Sequence, residues 1–125
     1  MRSIPLDDML PVYIGNGWLC AKEALIYYFR FGRKAAVLSR GFCPIPRALV
    51  QIRKLPDFSE SFAVEETLSF LQSIQGGDAA DSLPCLLPVD WEALDFVLQN
   101  EEKLSGGYLV CRTVYAGKTA VPFDY

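Results

Sequence analysis

Residues 24–56 carry seven cations, Arg30, Arg33, Lys34, Arg40, Arg47, Arg53 and Lys54, and no acidic residue. Five aromatics, Tyr27, Tyr28, Phe29, Phe31 and Phe42, are threaded among them. Cations interleaved with rings can hold an anion, the charge meeting phosphate or carboxylate and a ring face meeting a base. Six residues are the candidate binding set: Arg33, Lys34, Arg40, Arg47, Gln51 and Arg53. Arg47, Gln51 and Arg53 alternate along one face of a strand predicted over 47–54, opposite Ala48, Val50 and Ile52. Arg33, Lys34 and Arg40 fall in the flanking turns.

Other side chains point away from catalysis. The chain has no histidine, which removes Ser-His-Asp and Cys-His chemistry. Glu65-Glu66 and Glu101-Glu102 are adjacent in sequence, so on a helix their carboxylates diverge rather than form an acid/base couple. Cys20, Cys43, Cys85 and Cys111 are too scattered for a CxxC site and read as small buried apolar groups. Cys43 alone has a reactive alternative, because Arg40 and Arg47 nearby in sequence would favour its thiolate. No metal and no cofactor is expected.

Three short motifs fail on context. Gly117-Lys118-Thr119 lacks the earlier glycine and the following helix of a phosphate-binding loop. Gly76-Gly77-Asp78 is explained by a helix stop. Arg40-Gly41-Phe42 opens like an RNA-binding aromatic strand, but Pro44 and Pro46 break the continuation.

The elements that must position these groups follow from period and punctuation. Gly15-Asn16-Gly17 reads as a tight turn or hairpin. A helix is predicted over 21–31, apolar nearly all round and hence buried, with Gly32 as its C-terminal stop. Strands are predicted over 35–39 and 47–54. Helices are predicted over 60–75 and from Asp90, where Asp90 is the N-cap and Val89 with Leu94 a staple. Residues 76–84 read as a polar connection, and 108–115 with 119–123 as a C-terminal β-hairpin. The sum is a single α+β domain over residues 1–125, an antiparallel or mixed sheet of about four to six strands with two to three packed helices.

With 51% apolar and 22% charged residues the composition is that of a folded domain. Charge is split: residues 1–56 hold nine Lys/Arg against three Asp/Glu, and residues 57–125 hold three against twelve. The halves either neutralise each other on folding or leave a cationic surface for a partner. The apolar run at 24–31 is too short to span a bilayer and residues 1–11 are no signal peptide, so a cytoplasmic protein with no membrane association is expected. The expected function is a non-enzymatic protein-binding or adaptor module of chaperone, immunity or inhibitor type, with homo-oligomers possible. A nucleic-acid-binding accessory protein using residues 33–54 is the alternative, and an enzyme the third reading.

Overall fold

The structure is a computed structural model that describes residues 2–6, 9–55, 65, 69, 83–104, 109–117 and 120–123. Strands β1 (Arg2–Pro5) and β2 (Met9–Asn16) lead into helix α1 (Gly17–Phe31). Strand β3 (Ala35–Arg40) is followed by a 3-10 turn (Arg47–Leu49) and β4 (Val50–Leu55). Strand β5 (Leu83–Pro88) leads into α2 (Trp91–Gln99), a single helical turn α3 (Glu101–Leu104), and strands β6 (Leu109–Val110) and β7 (Ala120–Phe123).

Five strands form one sheet in the order β4-β3-β2-β5-β6, and every neighbouring pair in it is parallel. The antiparallel or mixed sheet expected from sequence is thus corrected. So is the C-terminal hairpin: β6 pairs with β5, whereas β7 pairs antiparallel with β1 in a separate ribbon, Arg2 opposite Phe123 and Pro5 opposite Ala120.

Burial explains the parallel arrangement. Tyr13, Val37, Cys85 and Leu87 point to one side, where α1 contributes Cys20, Ala21, Ala24 and Tyr27. Val12, Ile14, Ala36, Leu38 and Leu86 point to the other, against Ala93, Phe96 and Val97 of α2. Strands covered on both faces read as continuous apolar runs, not as alternation. Ala36 and Leu38, the register partners of Gln51 and Arg53, are both buried.

Helix α1 begins earlier than its sequence period suggests because Asn16 caps it, its side chain accepting from the amides of Trp18 and Leu19. It ends where expected: Gly32 is left-handed at φ 66° and its N–H donates to Tyr28 O at 2.8 Å. The helix is not buried all round, since Trp18, Leu19, Ile26 and Phe29 are exposed on its outer side. Asp90 caps α2 as predicted, accepting from the amide of Ala93 at 2.8 Å. Of the helix predicted over 60–75, Glu65 and Ser69 are described, and both are helical and exposed; the remainder, with residues 76–82, lies outside the described residues.

Candidate functional site

In chain order the sheet runs third, second, first, fourth, fifth strand, so the winding reverses between β2 and β5. In open parallel sheets such a reversal leaves a crevice beyond the carboxyl ends of the two strands, where ligands commonly bind. Here that edge consists of Gly15-Asn16-Gly17, Val89-Asp90-Trp91 and the residues from Arg40 to Cys43.

Local chemistry draws these three pieces together. Val89 donates its N–H to Ile14 O at 3.0 Å, extending the β2–β5 ladder by one rung. Asp90 then turns its carboxylate across the reversal: Oδ2 accepts the N–H of Asn16 at 2.8 Å while Oδ1 caps α2. Gly15, at φ 139°, leaves the room this requires, because a Cβ there would lie 2.9 Å from Val89 and 3.0 Å from Asp90 Oδ2. Arg40, the last residue of β3, reaches Asp90 Oδ2 at 3.5 Å and pairs with Glu92. The charge split of the sequence is therefore neutralised in part at this edge, a cation of the first half meeting two anions of the second.

A Gly-x-Gly turn opening a helix is also the geometry by which α/β proteins cradle a pyrophosphate. Three donors of this turn are already engaged. Trp18 and Leu19 amides go to Asn16 Oδ1, at 2.9 and 3.3 Å, and the Asn16 amide goes to Asp90. At Gly17 a Cβ would fall 1.9 Å from Phe42 O, so the missing side chain admits the chain's own backbone. Ser39 Oγ donates to Gly41 O at 2.7 Å and holds that loop in place. Position 20, where a third glycine of such a motif would stand, is the buried Cys20.

Large aromatic surfaces surround this closed crevice. Trp18 (65% exposed) and Phe42 (64%) meet edge to face with ring centroids 6.1 Å apart, and Trp91 (74%) stands at the start of α2. Glu92 and Asp95 are exposed on the same helix. The rim therefore combines three apolar platforms with carboxylates.

The residues singled out in the sequence are divided between the two ends of the sheet. Arg33 and Lys34 precede β3 and Arg47 precedes β4; all three are exposed at the amino end, where Ala35 and Val50 are register partners. The Arg33 guanidinium lies 5.7 Å from the Tyr27 ring centroid and 5.9 Å from that of Phe31. Arg40 closes the opposite end, about 20 Å away over a six-residue strand. Gln51 and Arg53 occupy register positions beside Ala36 and Leu38, and their side chains lie outside the description. Sequence reasoning missed Asn16, Gly17, Trp18 and Trp91 as parts of one edge. The available signal was a Gly-Asn-Gly turn running directly into the helix-forming Trp-Leu-Cys-Ala-Lys-Glu.

Below the rim, Phe42, Cys43, Pro44, Ile45, Pro46, Arg47 and Ile52 line a groove of about 580 Å³. Cys43 is buried there and burial pushes its thiol pKa up, the opposite of the activation its arginine neighbours in sequence suggested. Among the described residues no cluster of three or more His, Cys, Asp or Glu is arranged to hold a metal, and no helix is long and apolar enough to cross a membrane.

No protein-family model, curated protein or solved structure matches the chain.

Proposed function

We propose that the chain is a non-enzymatic protein-docking module whose binding surface is the carboxyl-end rim of its parallel sheet. The observation that carries this reading is the exposure of Trp18, Phe42 and Trp91 around a crevice where the Asn16, Trp18 and Leu19 amides are bonded within the chain. Exposed tryptophans in a flat setting are the commonest energetic centres of protein interfaces, since each removes a large apolar area from water on docking. Asp95 stands one turn beyond Trp91 on the same helix, so the complementary surface is apolar at its centre and carries a lysine or arginine at that border.

A second reading rests on topology: a small anionic ligand, such as a nucleotide, in the crevice between β2 and β5. Engagement of the Asn16, Trp18 and Leu19 amides within the chain weighs against it.

One set of measurements separates the two. Cross-linked complexes are isolated from cells of the source organism with wild type, with Phe42→Ala/Trp91→Ala, and with Arg33→Glu/Arg47→Glu. The docking reading expects a defined protein partner that is lost with the aromatic pair and kept with the arginine pair. Loss only with the arginine pair sinks it, as does the absence of any partner. In parallel, ATP and NADH are titrated into labelled protein while amide resonances are followed. Saturable shifts at Asn16–Leu19 would replace docking by the ligand reading.

A further inference from the structure

A charged side chain is buried on the inner face of α1. Glu23, in the second turn of α1, is 5% exposed, and its Oε2 has no hydrogen-bond partner. Tyr13 of β2 is fully buried in the core beside Tyr115. Tyr115, on residues 111–117 after β6, packs its ring 5.5 Å from that of Tyr13. The same segment supplies the backbone N–H of Gly117 to the Glu23 carboxyl group.

An ionised carboxylate needs several donors or a cation to survive burial. The groups that bear on Glu23 among the described residues come from three elements. From β2 comes the Tyr13 phenol, and from residues 111–117 the Tyr115 phenol and the Gly117 amide. From α1 itself come Cys20, whose thiol is buried, and Lys22, whose side chain is exposed. Arg30, also exposed, bears on Tyr115. No cation is buried with the carboxyl group among the described residues. Charge on Glu23 would leave one buried oxygen without a donor.

We propose that the closed fold favours Glu23 as the neutral carboxylic acid, and that its ionisation is the trigger that lifts residues 111–117 off α1. As an acid, Glu23 still accepts from Gly117 and places no charge in the core. Once ionised, the carboxylate gains most by reaching water. The segment bonded to it through Gly117 is held to β5 by Cys111 N–H donating to Leu86 O at 3.0 Å and Tyr115 N–H to Pro88 O at 2.7 Å. Both bonds have to open for the segment to leave. This goes beyond the docking reading, and its outcome does not depend on whether a partner exists.

Burial raises the Glu23 pKa above the ordinary value near 4.5, with the Gly117 bond and Lys22 opposing that rise. The closed state therefore holds the proton more tightly than the open one. Closure is at full strength below the ordinary value and weakens as pH rises from there through the raised value, by up to tenfold per pH unit for one proton. Hydrogen exchange at the Cys111 and Tyr115 amides reads this directly. Wild type is expected to lose protection with rising pH across that window, while Glu23→Gln, which keeps the shape and the acceptor, has a flat protection factor. Identical profiles in the two proteins would overturn the proposal. Should Glu23→Gln not fold, the carbon-13 shift of the Glu23 carboxyl in wild type decides alone: titration above the exposed glutamates supports it, and titration among them overturns it.

Discussion

Asp90 accepts the backbone N–H of Asn16 at 2.8 Å, across the point where the parallel sheet reverses its winding. One carboxylate thus closes the end of β2, caps α2 through the amide of Ala93 and anchors Arg40 of β3. Hydrogen bonds to a charged acceptor are stronger than neutral ones, and truncating Asp90 leaves two amides and a guanidinium short of it. Asp90→Ala is expected to cost roughly 3 kcal/mol, the cap and the bridge not being additive because one group makes both. For a chain of this size that lowers the melting temperature by about 10 °C. Asp90→Asn, which keeps one acceptor, is expected to lose about half as much. Calorimetry of the two variants checks the order, and an Asp90→Ala protein as stable as wild type would show that the bridge carries no weight.

Two glycines make a paired steric test. At Gly17 an added Cβ would meet Phe42 O at 1.9 Å and Ser39 Oγ at 2.8 Å, so a backbone segment must move. At Gly32 nothing lies within 4 Å, and the penalty is only the left-handed φ of 66°. Gly17→Ala should therefore cost on the order of 3 kcal/mol or more, and Gly32→Ala about 1 kcal/mol. Urea midpoints measure both, and equal losses would contradict the close approach of the 42 carbonyl.

Those same positions show what the sequence could and could not reveal. Gly32 and Asp90 were legible because helix ends are local chemistry: a residue free to be left-handed, and a carboxylate next to orphan amides. The direction of pairing was not legible, since Gly15-Asn16-Gly17 suits a hairpin turn as well as a strand-to-helix turn. Strand β5 escaped notice because Pro84 and Pro88 argue against a central strand. They are tolerated here because, among the described residues, β6 pairs with Cys85 and Leu86, so neither proline faces a second ladder there. The rim was invisible for a related reason: Trp18, Phe42 and Trp91 are far apart in sequence, and only the parallel register brings their three segments to one edge.

The four thiols should be inert in the native protein. All four cysteines are buried; burial holds the Cys20 thiol well above its usual pKa, raises that of Cys43 and pushes that of Cys85 up to about 12. Because the thiolate is the nucleophile, reaction with an aromatic disulfide reagent at pH 8 has to await local opening. Labelling is expected to be slower than for a free thiol by orders of magnitude, with four equivalents appearing on unfolding. Modification of Cys43 at the rate of a free thiol would show that the groove beside Pro44 and Ile52 is open to reagents in a way the static structure is not.

Protection from hydrogen exchange should fall outward from β2. That strand is flanked on both sides, by β3 over residues 12–16 and by β5 over residues 9–14, and its Val12, Tyr13 and Ile14 side chains are fully buried between α1 and α2. Strand β6 contributes two residues at the sheet edge, and the β1–β7 ribbon is a separate four-residue pairing. Amides open in cooperative units whose free energy follows the apolar surface each unit must expose. The amides of Val12 and Ile14 should thus exchange only by global unfolding, with rates that track denaturant as the whole protein does, while those of Ile4 and Val110 exchange through smaller openings. If Ile4 were protected as strongly as Ile14, ribbon and sheet would open as one unit, and pairing of β1 with β7 would be a determinant of global stability rather than an addition to it.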